Sequence, residues 1–326
     1  MGLAELWAAY RAGRGCSEVA AAAETAEERF YVGLMALAQG DRAAALEHIA
    51  AAVRLQPDSI VFDECAHYIR DRDSSHTAGT AEVYVNPEAF SAFGRGGGNV
   101  ALYRRTHAAL RERYRQLRPA TVLDIGTGEG LGLLPALSAD VGRVDVLEPS
   151  AARIAVVRAA LEQRGHPHRA FEATMAEFMA SADDRRDPAD RWDLVQETFA
   201  MLSLPVSERT AALRWLRTRA SRLILAEFDV PRAEHPLHPD WYRYVLSRYE
   251  SGMAEYPNPY NLVRQEFLAP VLLGTLRPTE DKIHYEQTVR DWGRDLAQAG
   301  FTVDGEPRRL SEFWWGDAYL IEATPS

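Results

Sequence analysis

Between Thr121 and Gly130 the chain reads Thr-Val-Leu-Asp-Ile-Gly-Thr-Gly-Glu-Gly, an apolar run that ends in a carboxylate and a glycine-rich turn. Gly126 and Gly128 lack Cβ atoms and tolerate positive φ, so the backbone around Thr127 can come close to a ligand. A helix expected over Leu131–Ser138 would aim its N-terminal amides at the same place. Glu148 closes the next apolar run, just ahead of Pro149, and a carboxylate there can accept both hydroxyls of a ribose. Dinucleotide enzymes share that feature, so Glu148 alone does not discriminate. Two details do. Gly126-Thr127-Gly128-Glu129-Gly130 does not fit the G-x-G-x-x-G spacing. Asp124 stands directly before the turn, where it would repel a pyrophosphate and attract a cation.

Other residues could act on a second molecule. Gln196-Glu197-Thr198-Phe199 ends a later apolar run, and Glu197 is a candidate base or a contact to the ligand. His238, with His235 nearby, follows the next run. His284-Tyr285-Glu286 re-enters the core further on and offers Tyr285 as a base and Glu286 as a polar contact. Between these lie seven aromatics in residues 241–267: Trp241, Tyr242, Tyr244, Tyr249, Tyr256, Tyr260 and Phe267. Rings around a pocket would stack on a flat acceptor and favour an approaching cation. Plain lid packing or a dimer interface is the competing account.

The elements that must position these groups follow from periodicity. Residues 1–75 read as a helical domain in which 26–59 resemble one tetratricopeptide unit. A lone unit does not make a peptide-binding solenoid, so it is expected to pack as an appendage. Residues 76–100 form a polar, Gly-rich connector ending in Arg95-Gly96-Gly97-Gly98-Asn99. From 101 to 326 strands and helices alternate. Strands are expected at Thr121–Ile125, Arg143–Leu147, His168–Phe171, Trp192–Glu197, Arg222–Phe228, Phe301–Val303 and Ala318–Glu322. Alternation of this kind gives a parallel α/β sheet with right-handed crossovers. The rhythm breaks over 231–282, which reads as a substrate lid inserted after strand 5, and a helix follows at about Tyr285–Ala299.

Asp124-x-Gly126-x-Gly128 followed by Glu148-Pro149-Ser150 resembles the first two motifs of class I S-adenosylmethionine-dependent methyltransferases. The resemblance covers about residues 95–325 and implies a seven-stranded Rossmann-like sheet. It also implies that S-adenosylmethionine is held by Asp124, Gly126, Thr127, Gly128, Glu148 and Pro149. Ala173 and Thr174 would bracket the adenine and Gln196 would lie near the sulfonium, with Asn99 and Tyr103 folding over the amino-acid end. The Asn/Asp-Pro-Pro-Tyr motif of amino-group methylases is absent after strand 4. Val85-Asn86-Pro87, the Gly-rich loop, Gln196–Phe199, Glu255-Tyr256, Phe267–Pro270 and Tyr285–Gln287 resemble small-molecule methyltransferases of actinobacterial natural-product pathways, a group that includes indole C-methylating enzymes. On that resemblance Trp241, Tyr242, Tyr244, Tyr256, Phe267 and Glu286 would line the acceptor site. Tyr256, Glu197 or a histidine would take a proton. A protein arginine methyltransferase is the second reading, although the second glutamate it needs is not close. A non-catalytic interaction protein on this scaffold is the third, and the intact Asp124, Gly126, Gly128 and Glu148 argue against it.

Composition narrows the partners. Acidic residues number 47 against 37 basic, a net charge of −10, which disfavours a phosphate backbone. No apolar run approaches the roughly 18 residues of a membrane span, and no signal peptide is recognisable. Cys16 and Cys65 lack metal or redox spacing, so no metal is expected and a reducing, cytoplasmic setting is. The expected partner is a small molecule, with a homodimer through the N-terminal helices or the lid left open.

Overall fold

The computed structural model describes residues 2–71, 86–185, 187–257, 262–276 and 284–326. Val85 and Tyr260, both singled out above, and the connector before Asn86 fall outside them. The chain divides into two compact units, Met1–Asn99 with Ala233–Ile283, and Val100–Arg232 with His284–Ser326.

The first unit is helical. Helices α1 (Leu3–Arg11), α2 (Cys16–Val19), α3 (Ala26–Ala38), α4 (Arg42–Leu55), α5 (Ile60–Asp71) and α6 (Pro87–Arg95) come from its N-terminal part. α3 opens on a capping box in which Thr25 and Glu28 exchange hydrogen bonds with each other's backbone amides. α3 and α4 approach closely because Gly33 has no side chain: a Cβ there would lie 2.7 Å from Ile49 Cγ1. The inserted residues supply α11 (Pro239–Ala254) and α12 (Ala269–Leu276). Their apolar side chains fill this unit's core. Tyr242 is fully buried, packs edge-on against Tyr31 at 5.1 Å and donates to the Glu27 carbonyl at 2.7 Å. Glu250 caps α5 by accepting from Ser59 Oγ, Ile60 N and Val61 N at 3.0, 2.7 and 3.1 Å.

The second unit begins with α7 (Asn99–Leu117) and is built on a sheet. Its strands are β1 (Thr121–Ile125), β2 (Arg143–Leu147), β3 (His168–Phe171), β4 (Leu194–Thr198), β5 (Leu223–Asp229), β6 (Phe301–Val303), β7 (Arg308–Ser311) and β8 (Asp317–Pro325). Their order is β3-β2-β1-β4-β5-β8-β6, with β7 also on β8. β1 to β5 pair in parallel, while β8 runs antiparallel to β5, β6 and β7. This is the expected Rossmann-like sheet with an eighth strand. β7 escaped the sequence reading because Arg308-Arg309-Leu310-Ser311 has too little apolar character to register as a strand. Helices α8 (Ala151–Gln163), α9 (Met175–Arg185), α10 (Val206–Arg217) and α13 (Val289–Gln298) complete the unit. A core of Leu123, Val195, Leu213, Leu225, Trp292 and Ile321 joins the sheet to α10 and α13.

Two expected elements differ. Residues 131–136 form a series of turns, not a helix. Pro135 has no N–H to give the Leu131 carbonyl, so an i→i−4 ladder cannot run through it. No helix over Leu131–Ser138 therefore lends its dipole to the glycine turn. The helix expected from Tyr285 starts at Val289, where Thr288 caps it by accepting from Asp291 N. His284–Thr288 is a non-helical strap instead.

Candidate functional site

The carboxyl ends of β1, β2 and β4 bring most of the sequence-selected residues of the second unit to one side of the sheet. β1 hands the chain to a turn in which Gly126, Gly128 and Gly130 have φ of 64°, 54° and 77°. Their reasons differ. A Cβ on Gly126 would stand 2.4 Å from Ala200 Cβ, so this glycine makes room for the loop after β4. A Cβ on Gly128 would meet no atom within 4 Å. The open side of the turn is at Gly128, and that is where a ligand can approach the backbone.

Glu148, at the end of β2, is buried and fixed in aim. Its Oε2 accepts from Gly128 N at 3.0 Å and its Oε1 from Ser150 N at 3.1 Å. Each oxygen keeps acceptor capacity beyond that one bond. Pro149 follows, exposed. Beyond β3, Ala173 is partly buried against the core, while Thr174 and Glu177 form a reciprocal cap of α9. Thr174 is thus occupied by its helix.

Asp124 is buried, and burial pushes its carboxyl up to about 6, against the opposing pull of Thr127 and the Gln196 amide. A buried carboxylate under this penalty gains by receiving a cation. Gln196 is fully buried and spends both ends of its amide inside the protein. Its Nε2 donates to Asp124 Oδ1 at 2.9 Å and its Oε1 accepts from Tyr114 of α7. It orients Asp124, and any contact it makes with the cofactor must come from what those two bonds leave free.

The loop after β4 is strained and firmly held. Phe199 has φ 56°, an outlier for a bulky side chain. Its N–H bonds the Ala226 carbonyl at 2.8 Å, and Glu197 Oε2 receives Ala200 N and Met201 N at 3.0 and 3.2 Å. Glu227 of β5, which sequence reasoning missed, receives Leu202 N at 2.8 Å. Both carboxyls are essentially inaccessible, and burial raises both well above the ordinary range. Glu197 is fully enclosed, and its visible work is to hold this loop.

The strap that re-enters the unit lies along the same loop. Tyr285 N donates to the Leu202 carbonyl at 2.7 Å, and the Tyr285 carbonyl accepts from Arg209 at 3.2 Å. The Glu286 carboxyl is 3.6 Å from His284 Nδ1. An aromatic column borders the loop. Phe199 stacks on Phe228 at 4.5 Å, Phe228 stacks on Phe313 at 5.3 Å, and Tyr103 of α7 meets Phe199 edge-on at 6.0 Å. Phe228 and Phe313 were also missed. Phe313 sits in Phe313-Trp314-Trp315, an aromatic run between β7 and β8 that was the available signal.

The remaining sequence-selected residues belong to the helical unit. Tyr256 binds the Gly-rich loop: its hydroxyl accepts from Asn99 Nδ2 at 3.1 Å and lies 3.0 and 3.2 Å from the Phe93 and Gly96 carbonyls. Glu255 receives Gly98 N at 2.7 Å. Asn99 and Tyr256 therefore come together, as parts of a loop anchor. His238 lies 5.9 Å from Trp7, and Trp241 stacks on Tyr244 at 5.5 Å. Phe267 packs against Phe93 at 4.6 Å and Phe90 at 5.4 Å. Tyr242, buried in that core with its hydroxyl bonded, is not open to a substrate, which corrects its expected role.

Residues 100–305, more than half of the chain, match a family model described as a methyltransferase domain. No curated protein matches the chain. Among solved structures, SCL7 of Oryza sativa aligns with a TM-score of 0.54 at 13% identity, covering 85% of this chain and 93% of that one. The mitomycin 7-O-methyltransferase MmcR gives 0.49 at 16% identity, over 88% of this chain and 71% of its own. A 1,6-didemethyltoxoflavin-N1-methyltransferase of Burkholderia thailandensis, bound to its namesake compound and S-adenosylhomocysteine, gives 0.47 at 18% identity, over 76% and 88%. At such identities the likeness is one of fold. The family match, which spans the glycine turn, Glu148 and the loop after β4, places the chain in the methyltransferase-domain family: it is an S-adenosylmethionine-dependent methyltransferase.

Proposed function

We propose that the chain methylates a small, planar aromatic acceptor, with an indole-like ring as the leading candidate and carbon as the candidate atom. The observation that carries this reading is the column Phe199–Phe228–Phe313 at the carboxyl ends of β4 and β5. It borders the loop that packs on the glycine turn. Flat π-systems stack on such a face, and each aromatic pair contributes about 0.5–1.5 kcal/mol beyond area burial.

The residues present suit the methyl donor. Gly128 leaves an open approach to the backbone, Glu148 offers two aimed oxygens to a ribose, and Asp124 is a buried carboxylate that a cation would relieve. When bound, S-adenosylmethionine supplies a methyl group on a positively charged sulfur. The chain's own part is to exclude water, hold the acceptor ring against Phe199 and Phe228, and fix the turn that carries Gly128. Tyr285, tethered by its backbone to Leu202 and Arg209, is the side chain we assign to relay an acceptor proton to solvent where one is lost, its hydroxyl taking that proton as it gives up its own. The cytoplasm is the compartment this activity suits.

Incubation with radiolabelled S-adenosylmethionine and indole, phenol and amine acceptors tests the reading, with the methylated atom located by mass spectrometry and NMR. Transfer to indole carbon is the expected result. Transfer only to non-aromatic amines or to protein side chains would overturn it.

A further inference from the structure

The loop after β4 touches both parts of the site: Ala200 fills the place of a Gly126 side chain, and Phe199 ends the aromatic column. Three successive amides of that loop, Ala200, Met201 and Leu202, are received by two buried carboxyls on neighbouring strands, Glu197 and Glu227. This leaves Glu197 Oε1 and Glu227 Oε2, both buried, with no donor from another residue among the described ones. Met201 N and Leu202 N are adjacent in the chain, so the carboxyls that receive them, one from Glu197 and one from Glu227, are brought close together. A carboxylate only accepts, so the two remaining oxygens satisfy one another only while one of the pair carries a proton.

We propose that Glu197 and Glu227 share a proton that positions the loop 199–202, and that the glycine turn keeps its shape for S-adenosylmethionine only while the proton is present. They are positioning residues, acting through Phe199 and Ala200. Loss of the proton places two negative charges side by side in a site buried from solvent, and they separate only by moving the amides they hold. The surroundings offer little relief. Asp124 on β1 adds a negative charge. Arg209 on α10 is the nearby cation, yet it is committed to Asp295 of α13 at 3.2 Å and to Gln287 of the strap at 2.8 Å. Arg232 after β5 adds to the positive side through Arg209, and His284 on the strap is paired with Glu286.

The proposal rests on the donor assignment above, and the test separates the two. S-adenosylhomocysteine affinity is measured by calorimetry from about pH 6 to about pH 10 on the full chain, and ligand-free thermal unfolding is followed over the same range. In the wild type, affinity should fall about tenfold per pH unit once the proton is lost, and ligand-free unfolding should shift to lower temperature in the same interval. In E227Q the amide N–H replaces the shared proton at every pH, so both profiles should lose that alkaline step. E197Q should do the same and serves if E227Q fails to fold. A wild-type affinity profile that stays flat, or one whose alkaline fall persists in both glutamine variants, overturns the proposal. If no S-adenosylhomocysteine binds at any pH, the donor reading fails instead, and the unfolding profiles still decide whether the proton is shared.

Discussion

Gly126 and Gly128 are two residues apart and conformationally alike, yet the structure gives them different work, and alanine at each should separate stability from binding. At Gly126 an added methyl would stand 2.4 Å from Ala200 Cβ, against a comfortable separation of about 3.5–4 Å between carbons. Neither atom can rotate away, because both are fixed by backbone. The loop carrying Ala200 must shift while its amides are held by Glu197 and Glu227. Overpacking of this kind costs about 1–3 kcal/mol. The left-handed backbone, φ 64°, costs an alanine a further ~1–2 kcal/mol. Gly126→Ala should therefore lose about 2–5 kcal/mol, a fall in Tm on the order of 10 °C. Gly128→Ala meets nothing within 4 Å, so only the backbone cost at φ 54° remains, about 1–2 kcal/mol. Its methyl instead occupies the open side of the turn beside Glu148. Affinity for S-adenosylhomocysteine should fall at least about tenfold, or ~1.4 kcal/mol. Calorimetry and thermal unfolding on both variants decide the matter. If Gly126→Ala unfolds at the wild-type temperature, or Gly128→Ala binds S-adenosylhomocysteine with wild-type affinity, the assignment of the open side is wrong.

Three further outcomes follow from single contacts. Asp124 is raised from 3.8 to about 6 in the folded protein, so the stability it contributes is present below about pH 4 and lost as pH rises through 6. D124N should gain on the wild type by about 3 kcal/mol between pH 4 and pH 7 in ligand-free unfolding while binding S-adenosylhomocysteine less tightly; a pH-independent difference would contradict this. Phe228→Ala should raise KM for an aromatic acceptor about two- to tenfold and leave S-adenosylhomocysteine affinity unchanged, because it removes the middle of the stacked column. Equal loss of both would show that the column supports the cofactor turn. In the helical unit, Glu250→Ala strips the first turn of α5 of three hydrogen bonds and should cost about 2–4 kcal/mol by denaturant unfolding.

The cofactor end was legible in the sequence because its signals are local. Asp124, Gly126 and Gly128 lie within one turn, and Glu148 closes the next strand, so apolar runs and glycine spacing were enough to bring them together. The aromatic-rich segment misled because composition does not say which neighbour a ring meets. Tyr242 and Phe267 find theirs on α3 and α6, far away in the chain, and become core. Of the rings that border the loop after β4, Phe228 sits within a strand whose apolar run hides it, and Phe313 belongs to an aromatic run between two strands that does not say which neighbour it meets.

Glu227 was the more readable omission. Leu223-Ile224-Leu225-Ala226-Glu227-Phe228 is an apolar strand with one carboxylate in it, and a central strand of such a sheet is covered on both faces. Such a carboxylate must be buried, and a buried carboxylate must be neutral, paired or supplied with donors. Glu197 and Asp145 stand in their strands under the same condition. Asp145 meets it with Arg143, Arg169 and Trp192, a conventional set of donors. Among the described residues, Glu197 and Glu227 receive loop amides, and one oxygen of each is left without a donor. Which partner each carboxylate finds depends on the β4–β5 register, Glu197 beside Leu225 and Thr198 beside Ala226, and no local pattern encodes that alignment. The demand for a partner is a property of the strand; the partner's identity is a property of the sheet. That is why the loop's anchor, and with it the pH dependence expected of cofactor binding, becomes visible only once the strands are paired.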